Sequence, residues 1–332
     1  MDLSCNYMGL KLKNPIVVSS CPLSETLDGI KSLEDAGASA IVMFSLFEEQ
    51  IRRENETFAS LMESASRSFA ESDNFFPQMD EIERGPEQYI NLLSKAVEAT
   101  NIPIIASLNG ISNEGWIDYA KQIQQAGASA LELNIYYIAS DISQSGAAVE
   151  QRYIDILQSV KSSVSIPVGV KLSPFFSSVG HFAKRLDDAG ADGLVLFNRF
   201  FQPDFNLDTL QVEPKAHLGS VEEIRVPLLW IAILHGQIKA TLAASRGVQS
   251  STEIIKYLLA GADVVMVASA LMNHGPQYLH VLLDDLEQWL NARGYTSINE
   301  IRGKMSHKHV VNPDEFERVN YIKSLAAGKG RF

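Results

Sequence analysis

The chain has 332 residues, 46% of them hydrophobic and 20% charged, enough to bury one large core, and single-domain α/β barrels of about 250 residues are ordinary. A formal net charge of −12 with no basic block argues against a nucleic-acid partner held through its phosphates; an acidic surface mainly confers solubility. The opening MDLSCNYMGLKLKNP has no basic region ahead of a long apolar core, and no run of about 18 apolar residues occurs, so a cytoplasmic protein without signal peptide, membrane span or membrane partner is expected.

Cys5 falls among early turn-like residues, and Cys21 follows the first apolar run, NPIVVSS at 14–20. Two cysteines make neither a disulfide framework nor a metal cluster. The second run closes EDAGASAIVMFS, in which a helical pattern ends at Ala-Gly and passes directly into an apolar strand. The same phrase returns in QQAGASALELNI, DDAGADGLVLFN and LLAGADVVMVAS, and Gly37, Gly127, Gly190 and Gly261 suit the left-handed helix-stop position. Between these lie IPIIASL at 102–108, IPVGVKLS at 166–173 and the less regular TLAASRG at 241–247. Interleaved, the two sets give eight strands whose apolar runs read as buried on both faces. Amphipathic segments such as NEGWIDYAKQIQQAG and SSTEIIKYLLAG fill the gaps. The fold expected is α/β, a (β/α)8 TIM barrel; a doubly wound open sheet would need the strand series to split into two halves.

Two connections, residues 46–85 after strand two and 200–226 after strand six, are too long for plain turns. Both leave the carboxyl end of a strand, so they read as lids or substrate walls, with surface hairpins or an oligomer contact as the alternative. The barrel is expected over residues 1–294, ending with GPQYLHVLLDDLEQWLNARG, and residues 295–332 form an appendage. In it Asn312-Pro313 starts a helix whose Phe316, Val319, Ile322 and Leu325 make an apolar stripe for packing on the barrel.

Barrel chemistry sits at the carboxyl ends of strands. Those ends deliver Ser19, Ser20 and Cys21, then Ser45, then Ser107 and Asn109, then Asn134, Tyr136 and Tyr137. The second half adds Lys171 and Ser173, Asn198, Ser245 and Gly247, and finally Ala268 and Ser269. The set is rich in hydrogen-bonding groups and poor in carboxylates, which excludes the paired acids of glycoside hydrolysis, and it holds no histidine cluster for a metal. Lys171, closing an apolar strand, needs a partner at the barrel mouth: an electron-rich or anionic cofactor, a substrate carbonyl through a Schiff base, a nearby acid or solvent. The small-residue turns ASRGV and VASALMN, after strands seven and eight, are placed where barrels form a phosphate cup.

VVSSCP, SLNG, ELN, GVKLSP, FN, ASRGV and VASAL, spread from strand one to strand eight, together resemble the dihydroorotate dehydrogenase family of flavin barrels. The resemblance implies flavin mononucleotide (FMN) as cofactor. It makes Ser20, Cys21, Ser45, Asn109, Asn134, Lys171, Asn198, Ser220, Ser245, Arg246, Gly247, Ala268 and Ser269 candidate contacts, with Lys171 stabilising the reduced ring. There are departures. Strand two reads VMFSLFEEQ where the family carries a lysine, and Arg246 replaces the first of two glycines in the phosphate turn. Three residues after Asn134, where the family keeps a Cys or Ser as proton acceptor, stands Tyr137, a side chain with an ordinary pKa of about 10. Tyr137 and Lys171 are thus the catalytic candidates. The implied reaction is dihydroorotate to orotate, or the same step on a related dihydropyrimidine-like small molecule in pyrimidine metabolism, with a soluble electron acceptor and a homodimer as expected partners. Two other readings stay open: a flavin- or phosphate-binding barrel without turnover, and a Schiff-base aldolase using Lys171.

Overall fold

The computed structural model describes residues 1–50, 85–110, 116–199, 203–213 and 218–328. Most of the connection after strand two, including RRENETF and FFPQMDEIER, lies outside the described residues, as do parts of the connection after strand six.

Eight parallel strands close into a barrel. In chain order they are β1 (Ile16–Val18), β2 (Ala40–Phe47), β3 (Ile104–Asn109), β4 (Ala130–Asn134), β5 (Val168–Leu172), β6 (Gly193–Leu196), β7 (Thr241–Ala244) and β8 (Val264–Val267). Each pairs with its sequence neighbours, and β8 pairs with β1 to close the ring. The helices outside are α1 (Leu27–Asp35), α2 (Pro86–Ala99), α3 (Trp116–Gln125), α4 (Gly146–Lys161), α5 (Val179–Asp188), α6 (Arg225–Leu234), α7 (Ser251–Ala260) and α8 (Tyr278–Asn291). This is the (β/α)8 barrel expected from the alternation of the two strand sets.

Each Ala-Gly phrase behaves as its chemistry requires. Gly37, Gly127, Gly190 and Gly261 all have positive φ, between 90° and 117°. At Gly261 a Cβ would enter the His235 ring, whereas at Gly190 the nearest atom to a Cβ is Lys161 Cε at 3.9 Å. Gly190→Ala is therefore expected to cost only the left-handed strain, about 1 kcal/mol. Gly261→Ala adds overpacking and is expected to cost about 2–4 kcal/mol, the two being compared by urea unfolding.

Alternation along the strands sends Val17, Val42, Ile105, Val195, Ala243, Val264 and Met266 into the barrel as one apolar cluster. An N-terminal hairpin, Cys5–Tyr7 paired with Leu10–Leu12, adds Tyr7, Met8 and Leu12 to that cluster. Gly169 and Gly193 make the room: Cβ atoms there would lie 2.9 and 2.8 Å from Met8. The amino-terminal end of the barrel is thus plugged, and the opposite end is left for chemistry.

The last barrel helix is followed by a segment built onto the barrel, with Ile298 and Ile301 fully buried. Its backbone bonds reach Asp2, Leu258, Leu259 and Ala232. Beyond it the expected stripe divides. Phe316, in the turn Pro313–Phe316, packs against the core, while Ile322 and Leu325, on the helix Arg318–Gly328, are exposed. Among the described residues no helix is long and apolar enough to cross a membrane.

Candidate active site

A cavity of about 450 Å³ opens at the carboxyl ends of the strands. Ser20, Cys21, Lys171, Asn198, Ser245, Arg246, Gly247, Ala268 and Ser269, all proposed from sequence, line it together with Ser19, Tyr136, Arg199 and Glu223.

Its floor is an ion pair. Lys171 Nζ lies 3.3 Å from Glu132 Oε1 and donates to Ser19 Oγ at 3.4 Å. The lysine side chain is 7% exposed and the glutamate 1%. The list of strand ends read from sequence was poor in acids because Glu132 sits one pleat deeper, in LELN. There Leu131 and Leu133 join the core between strands and helices, while Glu132 and Asn134 share the other face with period two. Burial pushes the Cys21 thiol above its ordinary range; the Lys171 charge opposes this only in part.

Beside the floor runs a chain of hydroxyls. Ser20 Oγ is 3.3 Å from Ser45 Oγ, which is 2.9 Å from Ser107 Oγ. A register shift in β2 between Val42 and Ser45 sets Ser45 opposite Ser107. Ser45 thus supports the wall from behind rather than lining it. Asn198 Nδ2 donates to Asn134 Oδ1 at 2.5 Å, so Asn134 reaches the cavity edge through Asn198, and Asn109 is its half-buried register neighbour on β3.

The far end is cationic. Arg246 (φ 84°) and Gly247 (φ 72°) form a left-handed turn after β7, held by the Tyr257 hydroxyl donating to Arg246 O at 2.9 Å. A Cβ at Gly247 would come within 2.6 Å of Ile224 N, so only glycine fits this close backbone approach. Arg246 Nε and an Arg199 nitrogen reach the two oxygens of Glu223 at 3.4 and 3.6 Å. Gly219 N donates to Ser269 Oγ at 3.1 Å, closing the connection after β6 over both turns. Ser220, next in that connection, is exposed and precedes the short turn Val221–Ile224, without a side-chain capping bond, instead of lining the cavity. Arg199 and Glu223 escaped the sequence reading because they lie in or beside a long connection without periodicity.

The tyrosines divide their roles. Tyr137, the sequence candidate for proton transfer, donates its hydroxyl to Gln144 Oε1 at 2.6 Å, and its ring lies 4.2 Å below the Arg152 guanidinium. Both of these interactions are with residues outside the cavity wall. It is Tyr136 that lines the cavity. The loop that separates them starts at Ile135, whose carbonyl accepts from the Tyr153 hydroxyl at 2.9 Å.

Comparison with known proteins identifies relatives of the whole chain. The sequence model of a family described as Dihydroorotate dehydrogenase matches residues 2–290. A putative dihydroorotate dehydrogenase A (fumarate) of Aeropyrum pernix is 29% identical over 64% of this chain and 70% of its own length. The catalytic subunit of dihydroorotate dehydrogenase B (NAD(+)) of Methanocaldococcus jannaschii is 24% identical over 92% of this chain and 98% of its own. The NAD-dependent dihydropyrimidine dehydrogenase subunit PreA of Escherichia coli K12 is 22% identical over 99% and 84%.

Proposed function

Because the chain belongs to the dihydroorotate dehydrogenase family, we propose that it is an FMN-dependent oxidoreductase that moves hydrogen across a carbon–carbon bond beside a carbonyl in a dihydropyrimidine-like ring. The observation that carries this reading is the Lys171 head at the cavity floor. An ammonium has three donors, and Ser19 and Glu132 take two of them at long distances, 3.4 and 3.3 Å. A third is available to an acceptor in the cavity.

The donor set fits FMN. The volume lies in the range of small-molecule sites, the floor offers a lysine and hydroxyls to an electron-rich ring edge, and the far end offers arginines and a glycine cradle to a phosphate. When bound, the flavin would supply the hydride chemistry. Lys171, Ser20 and the Asn134–Asn198 pair would hold the ring; Ser245, Arg246, Gly247, Ala268 and Ser269 would hold the phosphate. Glu223 holds both arginines, so a phosphate would compete with its carboxylate for them. Tyr136 would exchange the proton with the ring carbon next to the carbonyl. A soluble electron carrier is the acceptor or donor this scheme needs, and relatives named as catalytic subunits support delivery by a partner chain.

The Schiff-base reading is less well supported. A nucleophilic lysine must present a neutral amine, and the buried pair with Glu132 suits an ammonium. The visible spectrum of the purified protein, followed by anaerobic dihydroorotate and a set of dihydropyrimidines, separates the readings. We expect a flavin spectrum that bleaches with one of these. A protein that neither carries nor takes up FMN sinks the proposal; a yellow protein that no dihydropyrimidine reduces favours a binding barrel without turnover.

A further inference from the structure

Glu132 is a buried ionisable side chain in this part of the barrel whose chemistry the reaction above leaves unused. It stands in register between Ser107 and Gly169, in a barrel whose interior apolar cluster includes Val17, Val42, Ile105 and Val195. Its Oε1 pairs with Lys171, and its Oε2 is buried with no hydrogen-bond partner among the described residues. Tyr7, from the plug below, feels it too: burial first, and then the Glu132 charge, push the Tyr7 hydroxyl well above its ordinary value. Lys171 lines the cavity and Glu132 does not. A carboxylate buried this deeply pays a desolvation cost that its ion pair at best repays, so stability alone does not account for it.

We propose that Glu132 is a positioning residue and counter-charge for Lys171: it holds the ammonium at the cavity floor and offsets its charge, so that the bound flavin meets a hydrogen-bond donor from a near-neutral pair. The inference rests on the FMN reading above. A lone buried cation would favour the anionic reduced ring over the neutral oxidised one. The pair restrains that preference, and Glu132 thereby sets the balance between the two redox states.

The test measures dissociation constants of oxidised FMN and of dithionite-reduced FMN, anaerobically, for the wild-type protein, Glu132→Gln and Glu132→Asp. In the wild type the two states are expected to bind within tenfold of each other. Glu132→Gln, which keeps size and loses charge, is expected to shift the ratio at least tenfold toward reduced FMN, an upward shift of about 30 mV for a two-electron couple. Glu132→Asp is expected to keep the wild-type ratio within threefold. A merely structural glutamate would weaken both states alike and leave the ratio in place. An unchanged or reversed ratio in Glu132→Gln overturns the inference while leaving the FMN reading standing. So does a wild-type preference for reduced FMN above a hundredfold, a measurement that needs no variant to fold. Failure of the wild type to bind FMN in either state overturns the reading, and the inference with it.

Discussion

Lys171→Met is expected to lose at least a hundredfold in the rate of flavin reduction and about 3–5 kcal/mol of stability, the latter through Glu132 rather than through the lysine itself. The lysine side chain is 7% exposed and borders the cavity; the glutamate is 1% exposed, and among the described residues its ion pair is with Lys171. Removing the lysine leaves a buried carboxylate without its ion-pair partner, and an uncompensated buried charge is far costlier than a missing pair. The double variant Lys171→Met with Glu132→Leu removes both charges. It should recover most of the lost stability, yet it should not recover flavin reduction. Urea unfolding of the wild type, both single variants and the double variant gives the coupling directly. Equal stability losses in Lys171→Met and the double variant would show that the carboxylate left behind adds no penalty, and the argument from an uncompensated buried charge would fail with it. Glu132→Leu alone should be the milder of the single changes, because the ammonium it leaves behind borders a cavity.

The barrel was readable because its signals are local and repeated. Four Ala-Gly stops at positive φ each mark where a helix must end before a buried strand, and no tertiary information is needed to place them. The plug was not readable. Its two strands have three residues each, and its turn places Met8 at φ 51°, where a sequence reader looks for glycine or asparagine. Cavity-lining residues at strand ends were legible for the same reason as the strands themselves: Lys171, Asn198, Ser245 and Ser269 follow directly from where each run stops. What failed were contacts set by long-range pairing. Glu132 was hidden one pleat below the strand end, and Glu223 meets Arg246 across 23 residues of sequence. Of the two tyrosines it is Tyr136 that borders the cavity, one residue before the position counted from Asn134, because strand alternation ends at Asn134 and gives no rule for the loop beyond it.

On the proposed function, that single residue decides where the proton goes. Tyr136→Phe is expected to lower turnover by about 10²–10⁴ with FMN still bound, the usual contribution of a positioned acid or base. Tyr137→Phe is expected to change turnover less than about threefold and to cost about 1 kcal/mol, the worth of its bond to Gln144. The contrast follows from position: Tyr136 borders the cavity, whereas the interactions of Tyr137 with Gln144 and Arg152 are with residues outside the cavity wall. The same group serves both directions: it would deliver a proton to the ring carbon next to the carbonyl when hydride reaches the other carbon of the bond, and take that proton back when hydride leaves. Tyr136→Phe should therefore slow reduction of an unsaturated pyrimidine by the reduced protein and oxidation of the corresponding dihydropyrimidine by a similar factor. Anaerobic stopped-flow in both directions, on the wild type and both phenylalanine variants, measures this. If Tyr137→Phe shows the large loss and Tyr136→Phe the small one, the loop must rearrange on substrate binding, and the proton path returns to the position first read from the sequence.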